Sequence, residues 1–354
     1  MKIVLFLIGL STWGSQSMAM DTSIESQIEL GQRSLTLVRH CAGRFELELP
    51  KDMTLLEAGY GQPEFSIDMY AEGDKTEGGL YRGEQRLEQW LSYIDKKRQK
   101  DSEFSPTEYV IQELKPHLKT VSFHADIRGL MDDDNAPYSF TTYFFQDFPE
   151  QQMGLSIQGL AIGHIPRNVE NVQETFNSRV TWMKEAISET VIHQPWPHNQ
   201  FGICMPNGIL INNSSPVQTQ QGYFQENYAF EFFNGKKSIF RLLVVVYSDE
   251  TALKQEISQV SGLLSFIASS KTKVAGRNGR LFINDGKYSD TEREFKWVST
   301  DSKVNSVRFA HIEIEGKIEI DDYPELKPLN ATDMVVALIN GVRVRENGME
   351  GVKR

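Results

Sequence analysis

Arg44-Phe45-Glu46-Leu47-Glu48-Leu49-Pro50, preceded by His40-Cys41-Ala42-Gly43, carries the clearest structural signal in the chain. Phe45, Leu47 and Leu49 alternate with Arg44, Glu46 and Glu48. A period of two sends successive side chains to opposite faces of a strand, one apolar and one charged. Pro50 has no amide hydrogen to give a ladder and closes the run. The stretch therefore predicts a half-buried strand that opens a domain. Cys41 is one of only two cysteines, and His40 stands beside it. Neighbours on an extended chain point to opposite faces, so His40 is badly placed to act as base to a Cys41 nucleophile.

The residues upstream set the compartment. Lys2 is followed by the apolar run from Ile3 to Leu10, and Ser17-Met18-Ala19 offers small residues at the positions a signal peptidase requires. Residues 1–19 are predicted to be a cleavable signal peptide, its apolar core too short for a stable span. The mature chain is expected to be soluble, in the bacterial periplasm, with no membrane insertion after cleavage. Cys41 lies well beyond the apolar core, behind Val38-Arg39-His40, which does not fit a lipoprotein cysteine.

Downstream, the 354 residues carry 40% hydrophobic residues and a net charge of −11. That composition supports packed cores, and the negative field argues against binding nucleic acid or anionic membrane. Extended stretches are predicted near 53–57, 65–71, 120–128, 138–146 and 153–163. Helices are predicted over 83–100, with Leu87, Trp90, Leu91 and Ile94 on one stripe, and over 169–192. After the proline-bearing stretch 194–199, strands are predicted at 223–233, 238–247, 280–284, 292–298 and 305–314. Leu242-Leu243-Val244-Val245-Val246 reads as a central strand. Helices are predicted over 250–268, capped by Ser248, and over 331–344. The expected fold is α+β: two similar domains, residues 20–195 and 196–354, each a mainly antiparallel sheet with two helices in the order strands, helix, strands, helix.

Motifs for catalysis are missing from this pattern. The sequence has no Gly-X-Ser-X-Gly elbow, no His-Glu-X-X-His, and no phosphate loop ending in Gly-Lys-Ser/Thr. Gly276-Arg277-Asn278-Gly279-Arg280 reads as a turn leading into a strand. The seven histidines are scattered. A dense acidic run, Asp132-Asp133-Asp134-Asn135, lacks the glycine turn and distal glutamate of a calcium loop. It is either a solvated turn or a contact for a basic partner.

Cys41-Ala42-Gly43-Arg44-Phe45 with its alternating tail and Pro50 resembles the entry to the N-terminal domain of the type VI secretion lipase-immunity family. Phe201-Gly202-Ile203-Cys204, Asn207-Gly208-Ile209, Arg277, Gly279-Arg280, Phe295-Lys296-Trp297 and Val342-Arg343-Val344-Arg345 are similar, in that order, to the family's C-terminal domain. The stretch between Gly286 and Phe295 departs from the pattern. The resemblance implies a periplasmic, non-enzymatic immunity protein that needs no cofactor. Its partner would be a cognate type VI lipase effector, gripped near its lid between two claw-like domains. Asp132, Asp133, Asp134 and Asn135 are the candidate contact residues. Cys41 and Cys204 are either a disulfide joining the halves, which an oxidising periplasm permits, or two buried thiols. A periplasmic ligand-binding or envelope-assembly module and a hydrolase with a dispersed site are the competing readings.

Overall fold

The computed structural model describes residues 24–30, 33–61, 65–70, 108–126, 138–148, 153–159, 164–165, 191–194, 196–197, 199–205, 208–211, 226–263, 269–284, 291–324 and 330–349, with single helical positions inside 87–96 and 174–185. Its strands in chain order begin with β1 (Ile24–Leu30), β2 (Arg33–Ala42), β3 (Phe45–Pro50), β4 (Thr54–Gly61) and β5 (Phe65–Tyr70). Then come β6 (Glu108–Lys115), β7 (Leu118–Asp126), β8 (Tyr138–Phe148), β9 (Met153–Gly159), β10 (His164–Ile165) and β11 (Val191–His193). The remainder are β12 (Ile203–Met205), β13 (Ile209–Ile211), β14 (Asn227–Phe233), β15 (Ile239–Val245), β16 (Ser269–Val274), β17 (Arg277–Ile283), β18 (Glu292–Ser299), β19 (His311–Glu319) and β20 (Arg343–Val344). Two bounded α-helices stand among the described residues, α1 (Glu250–Leu263) and α2 (Ala331–Asn340).

These strands do not form two strand–helix repeats. One sheet of 13 strands runs β16-β17-β18-β19-β15-β14-β4-β5-β9-β8-β7-β6, with β10 on β8. Its seam is β4 against β14, antiparallel from Gly61↔Asn227 to Thr54↔Phe233. The ladders of the two halves therefore hydrogen-bond into one surface. The expected α+β architecture of two similar sheet-and-helix domains is overturned: the molecule is mostly antiparallel β. The physical reason is that a strand's alternation fixes which face it buries but not which edge it offers. Polar strands also escape notice. β16, Ser-Ser-Lys-Thr-Lys-Val, is exposed along most of its length as an edge strand.

Local readings fare better where burial is strong. In β3, Phe45, Leu47 and Leu49 are buried while Glu46 and Glu48 keep a small exposed fraction. The charged side of β3 is tied by Arg39, which reaches Glu48 at 3.4 Å and Glu46 at 3.8 Å. β14 and β15 alternate in the same way, burying Tyr228, Phe230, Phe232, Phe240, Leu242 and Val244. The register places Phe230, Leu242, Ile314 and Trp297 in one row across four strands. Each such side chain contributes roughly 1.5–3 kcal/mol on burial.

Helix α2 packs on β18, β19 and β3 through Met334, Val335, Leu338 and Ile339. Asn330 caps it by accepting from the Asp333 amide at 2.9 Å. The helix stops at Asn340, short of 344, because residues 343–344 leave it to pair with β3 as β20. Helix α1 is capped by Asp249, not Ser248: its carboxylate accepts from the Thr251 and Ala252 amides, and those bonds hold it below its ordinary value. The expected helix over 169–192 also ends early, since Val191–His193 pairs with β13. Within 83–100, Leu87 is buried against Val121 and Phe145.

Candidate functional site

Two constellations stand out, one buried and one open. The buried one gathers the motif residues. Cys41 lies near the end of β2 and Cys204 lies in β12; the structure joins them in a disulfide with Cα atoms 5.8 Å apart across a sequence separation of 163. Both sulfurs are thereby removed from nucleophilic chemistry. Beside the bridge, Gly43 and Cys204 exchange backbone hydrogen bonds at 2.7 and 3.0 Å. Gly43 has φ +67°, and a Cβ there would stand 2.3 Å from the Tyr228 ring. Only glycine fits that turn and that contact.

Arg44 follows, with no exposed surface. Its Nε and Nη2 donate to the two carboxylate oxygens of Glu226 at 2.8 and 2.7 Å, and Nη1 donates to the Gly348 carbonyl at 2.7 Å. Burial alone would lower its pKa; the Glu226 charge and hydrogen bonds override that and raise it. Arg345 completes the cluster by donating to the carbonyls of Gln200 at 2.6 Å and Gly202 at 2.7 Å. Burial first, then the neighbouring Arg44, bring its pKa down to about 10. His40 packs its ring 4.9 Å from that of Phe232, and burial lowers its pKa to about 4, so it is neutral. The cluster knots residues 40–45, 200–205, 226–228 and 345–348. It holds the fold and offers no reactive group.

The open constellation lies on the face of the large sheet opposite the core. One row of the register reads Glu57, Glu231, Arg241, Glu315, Lys296, Phe282 across β4, β14, β15, β19, β18 and β17. Arg241 meets Glu315 at 3.2 Å, and Lys296 meets Glu315 at 3.1 Å and Glu313 at 2.6 Å. Glu313 in turn holds His311 at 3.0 Å. Burial would raise the Glu313 carboxyl, but His311 and Lys296 together bring it below its ordinary value. Lys296 is raised against the pull of burial by Glu313 and Glu315. A hollow of about 420 Å³ opens on this face, lined among others by Glu231, Ile239, Arg241, Phe282, Glu294 and Lys317. Nothing in sequence spacing identifies this row, because it is assembled by pairing register from both halves.

Asp132, Asp133, Asp134 and Asn135 lie outside the described residues, as does the segment 1–19. Among the described residues no group of His, Cys, Asp or Glu could hold a metal ion. No described helix is long and apolar enough to cross a membrane.

Together these are a broad antiparallel sheet with a charged open face and a buried knot in which the Cys41–Cys204 bridge ties β2 to β12. No family model matches the sequence, and no curated protein matches it. Among solved structures, the fold is that of the immunity protein TplEi of the type VI secretion system from Pseudomonas aeruginosa, in its apo form. That chain superposes with a TM-score of 0.51 at 13% identity, covering 88% of this chain and 97% of its own.

Proposed function

We propose that this protein is a type VI secretion immunity protein that binds and blocks a cognate lipase effector in the periplasm, acting by binding rather than catalysis. The observation that carries the reading is the fold shared with TplEi over 88% of this chain. The order of motifs from Cys41-Ala42-Gly43-Arg44-Phe45 to Val342-Arg343-Val344-Arg345 supports the lipase class of effector. The signal-like residues 1–19 and the paired cysteines suit an oxidising, exported setting. In this reading residues 20–195 and 196–354 both contribute to the grip near the effector's lid. The acidic run Asp132–Asp134 serves as one contact region.

The test is a titration. A type VI phospholipase effector taken as the candidate partner is assayed on phospholipid vesicles while purified mature protein is added. Hydrolysis is expected to fall to background at about one equivalent, as for a tight inhibitor of standard interface size. Unchanged hydrolysis at several equivalents would overturn the lipase-inhibitor reading.

A further inference from the structure

Among the described residues β16 is the last strand of the large sheet and pairs only with β17. Backbone groups of an antiparallel strand point alternately to its two sides. Thr300 donates to the Asn278 carbonyl at 2.8 Å and Asn284 to the Glu294 carbonyl at 3.0 Å, so the even-numbered residues of β17 turn to β18. Its odd-numbered residues turn to β16, where the register matches them with Ser270, Thr272 and Val274. The amides and carbonyls of Ser269, Lys271 and Lys273 therefore point out of the sheet, a row of open donors and acceptors.

The side chains of this edge carry one sign of charge. Lys271 stands directly across from Arg280, and Lys273 lies two residues along on the same face. All three are exposed, and among the described residues none forms an ion pair, although the chain has a net charge of −11. Arg241, Lys296 and Lys317, further in on that face, each have one. The edge is nonetheless held in shape. Val274 is buried, and Ala275 and Gly276, with φ of 50° and 78°, close the two-residue turn that sets the register.

A preformed edge with open backbone groups and three unmatched cations fits one kind of ligand, an extended chain with carboxylates at alternate positions. We propose that β16 takes up an acidic extended segment of the effector protein as a further strand. The inference rests on the immunity reading and gives it a contact. A second copy of this chain is a poor occupant, because self-pairing with both charged faces on one side sets lysine against lysine. An acidic segment reverses that effect. Its alternate carboxylates meet Lys271 and Lys273 across the new ladder, while its backbone fills the outward groups of the same residues.

The experiment has two arms. In the first, a capped peptide alternating Glu with Thr and Val is titrated into mature protein at low salt, read by calorimetry and hydrogen exchange. Saturable binding is expected, with slowed exchange across residues 269–273, and none by the analogue carrying Lys in place of Glu. Lys271→Pro removes an outward amide and no β16–β17 bond, and is expected to weaken binding about fivefold or more. Lys271→Gln/Lys273→Gln/Arg280→Gln is expected to weaken it about tenfold or more. Its unfolding midpoint is expected at or above that of wild type, which separates lost contact from lost fold. Lys236→Gln, in the β14–β15 turn, controls for lost charge and is expected to bind as wild type does. Absence of peptide binding, or binding by Lys271→Pro or the triple variant within about twofold of wild type, would overturn the inference. The second arm repeats the vesicle assay with the triple variant, and inhibition about tenfold weaker is expected. Inhibition equal to that of wild type would overturn the inference and leave the immunity reading standing. Hydrolysis unchanged by wild type would overturn that reading, and with it the assignment of the segment to the effector. Light scattering adds one outcome: a dimer lost on Lys271→Pro would assign the edge to self-association and overturn the effector contact.

Discussion

The Arg44–Glu226 pair and the Glu57–Glu231 pair each join a residue of the first half to one of the second. One is of opposite charges, fully buried, with both carboxylate oxygens used. The other is of like charges on an open face, with no ion pair among the described residues. The first spends its chemistry on the fold. The second sets like charges against each other across the β4–β14 ladder. Residues that carry a family resemblance can thus be the ones that build a buried knot, since such a knot is demanding about identity.

Replacing Arg44 with Ala should give the largest effect on stability. It strands the Glu226 carboxylate in the interior, a loss of about 3–5 kcal/mol by chemical denaturation. The paired replacement Arg44→Met/Glu226→Leu should recover most of that, because no charge is then left unpaired. A double variant as damaging as the single one would mean that the pair does more than neutralise itself.

Next is the bridge. Cys41→Ser/Cys204→Ser should cost about 2–5 kcal/mol, given the long loop it closes, and reductant should reproduce the shift in wild type alone. Gly43→Ala should cost about 1–3 kcal/mol, from the left-handed backbone and the collision with Tyr228.

The smallest effect belongs to the seam. Glu231→Gln should change stability by about 0.2–1 kcal/mol in the favourable direction near neutral pH. The sign follows from the raised carboxyl. Its favourable contribution to folding is present below the ordinary value of 4.5 and is lost as pH rises through the folded value. The stability gap between Glu231→Gln and wild type should therefore open over that window and stay flat above it. A gap independent of pH would show that Glu57 and Glu231 do not repel each other.

Much of the local structure was legible in the residues. The alternation of Phe45, Leu47 and Leu49, the apolar run 242–246 and the stripe of α2 all report a buried face, and each side chain signals its own burial. Partnership was not legible. Glu226 lies 182 residues from Arg44, and Glu57 faces Glu231 only because β4 pairs with β14 at one register around a bulge. Strands of low apolar content, such as β16, gave no periodic signal to read. The α+β expectation failed for the same reason: the elements were visible, but the edge at which two sheets become one was not.

The measurement that tests the central claim most directly is growth of a susceptible host whose periplasm receives the candidate lipase effector, with and without this protein directed to the same compartment. Restored growth with this protein, lost again when residues 1–19 are removed, is the expected result. Growth arrest that persists despite abundant, disulfide-bonded protein in the periplasm would contradict the account.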